Sequence, residues 1–360
     1  MERFYCKTKI ISGAGGVKAL GELNIQRLLV VTDPYFMENG TAQRIGEAAG
    51  AAQTEYFSQV QPDPSVELAA RGAKLVQSFR PDTVVALGGG SAMDCAKAMV
   101  YFGGQNIRLV AIPTTSGSGS EVTDFAILTH EQVKHPLVDG RICPDVAILD
   151  SDLLQKLPPK LVADTGFDVI AHALEAYVAQ NAGGISDALA RDAFCTVYGA
   201  LSASYNGNTA VRQRIHNAAT MAGMAFSQAG LGLCHAMAHS LGGAFHIPHG
   251  RLNAILLPAV IDCNSEAALR RYADLSRRLG LSSGADPIAV RALKNNLLRL
   301  RRELGLPGTL AEAGIDGALV TQKTDSLVAA ALADPCCATN PVSPQQQQVR
   351  RILSEVMGRG

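Results

Sequence analysis

The 360-residue sequence predicts a doubly wound α/β domain followed by an all-helical domain. Four short apolar runs alternate with helical patterns in the first 150 residues, which is typical of a parallel sheet covered on both faces. Strand signals cease after Ser151, and long Ala- and Leu-rich segments follow. Hydrophobic residues make up 47% of the chain and charged residues 18%, a composition that favours a folded core over disorder.

Each apolar run ends at a residue that favours a turn. The four predicted strands are residues 28–32, 83–87, 108–112 and 145–149. A period-two pattern over residues 3–10 predicts one more strand. The predicted helices are residues 65–79, 92–102, 162–179, 186–204, 212–227, 267–279 and 287–304. A boundary near Pro158-Pro159 divides the chain into predicted domains 1–157 and 158–360.

The charge balance and the cysteines exclude several classes of protein. Lys plus Arg and Asp plus Glu each total 32, which leaves no net field to attract nucleic acid or an anionic membrane. The eight cysteines show no Cys-x-x-Cys spacing, as expected for free thiols in a reducing cytoplasm. The N-terminal residues lack the apolar segment of a signal peptide. We therefore expect a cytoplasmic protein that binds neither nucleic acid nor a membrane.

Two loops rich in glycine and hydroxyl groups follow predicted strands. Gly88-Gly89-Gly90-Ser91 leads from the second strand into a helix, and residues 113–121 follow the third strand. Backbone N–H groups in such loops, together with a helix N-terminus, bind pyrophosphate. A plain strand-to-helix turn is the alternative. Two such loops at the carboxyl ends of parallel strands predict a dinucleotide site where the strand order reverses.

Asp33 also follows a predicted strand. Its carboxylate would accept hydrogen bonds from both ribose hydroxyls and would repel a 2′-phosphate, which favours NAD over NADP. The alternative is that Asp33 only forms the turn before Pro34.

Acidic and imidazole side chains occur at helical spacing in the second half of the chain. Asp168 and His172 form an i, i+4 pair, which places both side chains on one helix face. Four histidines follow close together at the end of a stretch without charged residues, and these are His235, His239, His246 and His249. Converging carboxylate and imidazole groups suit Fe(II) or Zn(II). The spacing leaves open which of the four histidines bind the ion.

Together, these motifs resemble those of the iron-containing (group III) alcohol dehydrogenases over essentially the whole chain. The motifs are Gly88-Gly89-Gly90-Ser91-x-x-Asp94, Pro113-Thr114-Thr115-x-Gly117-x-Gly119-x-Glu121, Asp168-x-x-x-His172, Gly230-x-Gly232-x-x-His235-x-x-x-His239, Pro248-His249-Gly250 and Asn340-Pro341. Residues 221–230 are similar to the propanol dehydrogenases of bacterial 1,2-propanediol utilisation. The resemblance implies the dehydroquinate synthase-like fold of the family, with a Rossmann-like NAD-binding domain and a helical metal-binding domain.

The resemblance also implies roles for individual residues. The implied metal ligands are Asp168, His172, His235 and His249. His239 would lie beside the site as a candidate proton relay, and Phe226 would face the substrate. The residues that match the family's nicotinamide contacts are Asp33, Gly89, Gly90, Ser91, Asp94, Thr114, Thr115, Ser118 and Lys134. His246 matches no ligand, and Arg251 stands where we expect a small apolar residue.

The activity implied by the resemblance is an NAD(H)-dependent interconversion of a small primary alcohol and its aldehyde, expected to be 1-propanol and propionaldehyde. Ferrous iron, or alternatively zinc, would act as a Lewis acid on the substrate oxygen, and the nicotinamide would exchange hydride with the substrate carbon. Because residues 215–250 contain no Lys or Arg, a small neutral substrate is favoured over an anionic one. The same absence disfavours a dehydroquinate synthase.

Two alternative functions are a glycerol dehydrogenase-like polyol oxidoreductase and a catalytically dead cofactor-binding protein. The four-ligand set that includes Asp168 favours the iron-type branch over the first, and the retention of every expected ligand disfavours the second. The resemblance further implies a homodimer or larger homo-oligomer. It also implies a place inside a bacterial microcompartment, through a shell or cargo protein.

Overall fold

The computed structural model describes residues 4–131 and 133–358. Its strands are β1 (Lys9–Ser12), β2 (Arg27–Thr32), β3 (Gln53–Phe57), β4 (Thr83–Gly88), β5 (Arg108–Pro113), β6 (Phe125–His130), β7 (Val133–Val138) and β8 (Val146–Leu149). Six of them form a parallel sheet in the order β1-β8-β5-β4-β2-β3, while β6 and β7 form an antiparallel hairpin. The predicted α/β fold class is confirmed.

The strand order reverses beside β2, which pairs with β3 on one side and with β4 on the other. In the register of these strands, Thr32 lies opposite Leu87, and Gly88 lies opposite Pro113. The carboxyl ends of β2, β4 and β5 therefore meet at one edge of the sheet, which is where ligands bind in open α/β folds.

Both faces of the central strands are buried, which explains why their sequences are continuously apolar. Leu29 and Val84 pack on one face in a cluster that includes residues of the helices α3 and α4, whose bounds follow below. Leu28 and Val85 pack on the opposite face with residues that include Ile45. Successive residues of a strand point to opposite faces, so a run of this kind supplies both cores.

Along the chain, the helices of the N-terminal half alternate with the strands. They are α1 (Pro34–Glu38), α2 (Thr41–Ala49), α3 (Val66–Phe79) and α4 (Gly90–Gly103). Ser65 caps α3, because its Oγ accepts a hydrogen bond from the Leu68 N–H at 3.1 Å.

The second half of the chain is helical, as predicted. Its helices are α5 (Pro159–Val178), α6 (Gly184–Tyr205), α7 (Arg212–Ala229), α8 (Leu233–Phe245), α9 (His249–Asn264), α10 (Leu269–Arg278), α11 (Asp286–Glu303), α12 (Gly317–Ala333) and α13 (Gln346–Met357). A proline opens α5, where its missing N–H has no intrahelical partner to lose. Most of α5 is buried, and it packs against α6 and α9.

The chain forms two compact units. One comprises Tyr5–Leu157 together with Arg212–Gly223, and the other comprises Pro158–Val211 and the described residues from Met224 onwards. The first part of α7 thus belongs to the same unit as the sheet. A single boundary in the sequence, such as the one predicted near Pro158-Pro159, does not describe this arrangement. None of the helices among the described residues is both long and apolar enough to cross a membrane.

The strand predicted over residues 3–10 is wrong in its extent. β1 begins only at Lys9 and continues to Ser12, while residues 4–8 are not in a strand and Arg3 lies outside the described residues. The pairing partner β8 decides the extent, because Lys9 lies opposite Val146 and Ser12 opposite Leu149, at the two ends of that strand.

Candidate metal centre and cofactor loops

Four potential ligands converge within the helical unit. Asp168 and His172 lie on α5, His235 on α8, and His249 at the first position of α9. One donor atom from each lies within 4.8 Å of all the others. Asp168 Oδ1 is 3.9 Å from His235 Nε2 and 3.7 Å from His249 Nε2, and Asp168 Oδ2 is 4.0 Å from His172 Nδ1. These separations are close to the value of about 3.4 Å expected for tetrahedral ligands at about 2.1 Å from an ion.

A glycine brings the two helices that carry Asp168 and His249 together. A Cβ atom at Gly250 would lie 1.9 Å from the carbonyl oxygen of Asp164 and 3.1 Å from the Cβ of Asp168. Any larger residue would force α9 away from α5. The glycine of the Pro-His-Gly motif therefore allows His249 to approach Asp168.

Burial gives this group the chemistry of a cation site. Asp168 is 7% exposed and His235 is 1% exposed. Burial raises the pKa of Asp168, and burial together with the charge on His172 holds the pKa of His235 well below its usual range. A neutral imidazole is a metal ligand, and a divalent cation would stabilise the buried carboxylate. The donor set fits Fe(II) or Zn(II).

Glu175, which the sequence analysis missed, supports one of these imidazoles. Its Oε2 lies 2.6 Å from His235 Nδ1, and the N–H groups of Gly232 and Cys234 also donate to the carboxylate at 3.0 and 2.6 Å. Burial raises the pKa of Glu175 to about 7 against these hydrogen bonds. A carboxylate that accepts from Nδ1–H leaves Nε2 as the ligand atom, an arrangement typical of metal-bound histidines. The sequence does carry a signal for Glu175, because it follows Asp168 by two helical turns and therefore lies on the same face of α5.

Asn253 is a second residue that sequence reasoning missed. This fully buried amide on α9 donates from Nδ2 to Asp168 Oδ1 at 2.8 Å and lies 3.2 Å from His235 Nε2. This hydrogen bond from α9 therefore helps to orient the carboxylate of Asp168. No spacing rule connects Asn253 to Asp168, which lies 85 residues away in the chain.

His239 lies beside the four ligands. Its ring stacks on His249 with centroids 5.0 Å apart, and its Nδ1 lies 2.8 Å from Asp334 Oδ2. Asp334 in turn accepts from the Cys336 N–H at 2.8 Å. Burial opposes ionisation of Asp334, but the hydrogen bond from His239 lowers its pKa overall. Burial and the charge on Asp334 raise the pKa of the Cys336 thiol. We interpret Asp334 as the residue that fixes the tautomer of His239.

The structure places Phe226 on His172, one of the four potential ligands. Its ring stacks on His172 with centroids 4.6 Å apart, and Phe226 is 5% exposed. Its contact with substrate stays a prediction. His246 ends α8 in the left-handed conformation, with φ of 54°, and lies outside the four-ligand group.

The two predicted phosphate loops face each other within the sheet unit. A Cβ atom at Gly89 would lie 3.3 Å from Thr115 Oγ1, and one at Gly90 would lie 3.4 Å from Ser118 Oγ. Ser91 follows in the first turn of α4. The Thr114 N–H donates to the carbonyl oxygen of Gly88 at 2.9 Å. Glycine at these positions thus lets the two loops approach closely without a side chain between them, which suits a loop that would bind pyrophosphate through its backbone N–H groups.

Asp33 both caps a helix and faces these loops. Its Oδ1 accepts a hydrogen bond from the Phe36 N–H at 3.2 Å at the start of α1. Asp33 therefore does form the turn before Pro34, which was the alternative role. A Cβ atom at Gly88, whose φ is 151°, would lie 3.8 Å from Asp33 Oδ2. Burial raises the pKa of Asp33 against its backbone hydrogen bonds. Its contact with a ribose stays a prediction.

A buried lysine that the sequence analysis did not single out holds the second loop. Lys97 Nζ donates to Ser120 Oγ at 3.0 Å, to Thr123 Oγ1 at 3.0 Å, and to the carbonyl oxygens of Thr123 and Phe125 at 2.9 and 2.8 Å. Ser120 Oγ donates to Asp94 Oδ1 at 3.2 Å. Burial lowers the pKa of Lys97 to about 8 and raises that of Asp94 to about 6. Asp94 thus supports the loop, and its contact with the cofactor stays a prediction.

Lys134 has an acidic partner within the sheet unit. Its Nζ lies 2.6 Å from Asp63 Oδ1, and it stands on β7 of the hairpin rather than on the main sheet. Its role in binding cofactor therefore also stays a prediction.

Comparison with known proteins identifies the family. The model of iron-containing alcohol dehydrogenase matches residues 7–151, and that of the C-terminal part of the Fe-containing alcohol dehydrogenase family matches residues 162–357. The chain belongs to the iron-containing alcohol dehydrogenase family. The predicted family and the prediction that the protein is an enzyme are therefore confirmed.

Similar proteins of this family match over nearly their full lengths. The chain is 40% identical to 1-propanol dehydrogenase PduQ of Citrobacter freundii, with 99% of this chain and 100% of that protein covered. It is 37% identical to the NADPH-dependent butanol dehydrogenase of Clostridium saccharobutylicum, with 98% and 97% covered. The iron-containing alcohol dehydrogenase of Thermococcus thioreducens has a similar structure, with a TM-score of 0.92, 34% identity, and 98% and 99% covered.

Proposed function

We propose that this iron-containing alcohol dehydrogenase family member interconverts a small neutral primary alcohol and its aldehyde with NAD(H) and a ferrous ion. The expected pair is 1-propanol and propionaldehyde. The observation that carries the proposal is the convergence of Asp168, His172, His235 and His249 as one nitrogen and oxygen donor set. The 40% identity to a 1-propanol dehydrogenase over 99% of this chain supports the choice of substrate.

The proposed chemistry divides between the bound groups and the side chains. When bound, the ion supplies a Lewis acid for the substrate oxygen, and the nicotinamide supplies the hydride acceptor or donor. The four ligands would hold the ion, and Glu175 keeps His235 in the tautomer that presents Nε2. His239 donates Nδ1–H to Asp334, which leaves its Nε2 free to accept the hydroxyl proton during alcohol oxidation.

The charges near the centre favour a neutral substrate. Residues 215–250 contain no Lys or Arg. The Arg251 guanidinium is paired through two nitrogens with Asp164, at 2.6 and 3.1 Å, so that its charge is compensated within the protein. Phe226 adds apolar surface beside His172. An anionic aldehyde would therefore find no uncompensated cationic side chain in this segment.

The preference for NAD over NADP rests on Asp33. Its carboxylate lies at the end of β2, next to the glycine loop, where it would repel a 2′-phosphate. One relative is named as NADPH-dependent, so cofactor choice varies among proteins similar to this chain.

The deciding experiment is an activity screen after anaerobic purification and loading with ferrous iron. We expect NADH oxidation with aldehydes from acetaldehyde to pentanal, greatest for propionaldehyde, and much slower turnover of glycerol with NAD. Metal analysis of the same samples should give iron in proportion to activity. Metal-loaded protein that turns over glycerol but no monofunctional alcohol or aldehyde would overturn the proposal.

We further propose that the enzyme is a homo-oligomer that enters a bacterial microcompartment through a folded surface recognised by a shell or cargo protein. Its similarity to PduQ supports this location. Residues 9–12 form β1 and pair with β8 in the sheet, so they would be a poor detachable tag. Residues 1–20 fused to a fluorescent protein should therefore stay outside shells in cells that make them. Recruitment by that peptide alone would contradict the proposal.

A further inference from the structure

A buried ion pair joins α5 to α9 beside the proposed metal centre. Arg251 Nη2 lies 2.6 Å from Asp164 Oδ2, and Arg251 Nε lies 3.1 Å from Asp164 Oδ1. The two side chains are only 15% and 8% exposed. This two-pronged contact between a planar guanidinium and a carboxylate is directional, because both nitrogens must face both oxygens.

The pair lies next to the metal ligands along both helices. Asp164 precedes Asp168 by one helical turn on α5, and Arg251 follows His249 by two residues on α9. Between them, the backbones meet where Gly250 approaches the carbonyl oxygen of Asp164. The ion pair therefore fixes the two helices at the point where each contributes a ligand.

The side chain of His249 is more exposed than that of His235, at 32% compared with 1%. His249 stands at the first position of α9, whose N-cap residue Pro248 makes no side-chain hydrogen bond to the helix. The first turn of a helix has N–H groups without intrahelical partners and is prone to fraying. Contacts that hold the start of α9 therefore also hold the backbone that carries His249.

We propose that Arg251 and Asp164 act as a positioning pair that keeps His249 and Asp168 at ligand distance and so slows the release of the metal. The inference rests on the proposed metal centre. The small apolar side chain that the family resemblance leads us to expect at position 251 would not reach Asp164. The guanidinium accordingly serves metal retention in this chain, and it does not bind substrate.

The test measures metal release rather than turnover. Protein loaded anaerobically with Fe(II) is mixed with excess chelator, and the rate of ion loss is recorded, together with the Tm of each metal-free protein. The test variants are Arg251→Lys, which keeps the charge but loses the two-pronged contact, and Asp164→Asn, which keeps the size. The matched controls are Arg271→Lys and Asp187→Asn, which break the half-buried pair between α10 and α6.

We expect metal release to be about 10-fold faster or more in both test variants, as for other residues that orient metal ligands, and unchanged in both controls. The Tm of the metal-free protein should fall by similar amounts in the test variants and in the controls. Faster metal release in the test variants alone would then reflect the position of the ligands and not a general loss of stability. Unchanged release in Arg251→Lys and Asp164→Asn, or equal acceleration in the controls, would overturn the inference. If the unmodified protein retains no more iron than His249→Ala, the metal centre itself is wrong.

Discussion

The metal centre and the cofactor loops are built by opposite means. At the proposed metal centre, side chains from three helices supply the candidate ligand atoms, and buried groups such as Glu175 and Asn253 fix their directions. In the proposed cofactor loops, glycines let the two backbones approach closely, and Lys97 holds the second of them. Binding in the first region depends on a few side-chain donor atoms, whereas binding in the second depends on the conformation of the loop backbone. Substitutions should therefore affect the two regions differently.

The largest effect should follow from removing a ligand. His249→Ala takes one nitrogen donor from the four-donor set, so we expect turnover to fall to less than about 1% of the unmodified enzyme. Metal content should fall with it, while circular dichroism shows a retained fold, because the helical core does not depend on this half-exposed side chain. Full metal occupancy with normal kcat would remove His249 from the site.

Glu175→Gln tests how much the carboxylate that accepts a hydrogen bond from His235 contributes to metal affinity. The amide keeps the size of Glu175 but loses the charge that faces His235 Nδ1. We expect metal affinity to fall about 10- to 100-fold, measured by competition with a chelator. The exposed Glu303→Gln on α11 is the control. Equal affinities in the two variants would contradict the role assigned to Glu175.

Lys97→Met tests the backbone-dependent region in the same way. The change removes four hydrogen bonds from the loop and the larger of the two cationic contributions that lower the pKa of Asp94, which we expect to cost about 3–5 kcal/mol of unfolding free energy. The Kd for NADH should rise while metal content stays unchanged. Lys74→Met, at an exposed position of α3, should change neither quantity. Unaltered NADH binding in Lys97→Met would contradict the proposal that this lysine supports cofactor binding.

The smallest expected effect is a change of cofactor preference at Asp33. Asp33→Gly removes the carboxylate, and the preference for NADH over NADPH should narrow by about 10-fold, the equivalent of about 1.4 kcal/mol. Gly is tolerated at the N-cap position of α1, at a cost of a few tenths of a kcal/mol. Asp33→Asn retains the cap and should narrow the gap to a similar extent. Equal kcat/KM for NADH and NADPH in the unmodified enzyme would disprove this role.

The agreement between sequence and structure is greatest where a residue's local pattern decides its position. The strands predicted at 28–32 and 83–87 are observed at Arg27–Thr32 and Thr83–Gly88, because runs that are buried on both faces have a pattern of their own. The short edge strand Gln53–Phe57 was missed, since its half-exposed sequence carries no such pattern. The strand predicted over residues 3–10 is too long at its start and too short at its end, because pairing with β8 sets its limits.

By itself, the sequence determined the division into an α/β half and a helical half, the central strands of the sheet, the two loops at the sheet edge and the i, i+4 pair Asp168 and His172. Helical periodicity fixes directions within one helix and says nothing about which helix approaches it. Only the tertiary structure brought His235 and His249 to Asp168 while it left His246 outside the group. It likewise decided that Arg251 faces Asp164, a carboxylate 87 residues earlier in the chain. Such contacts depend on how helices pack, and packing sums many weak interactions that no short motif records.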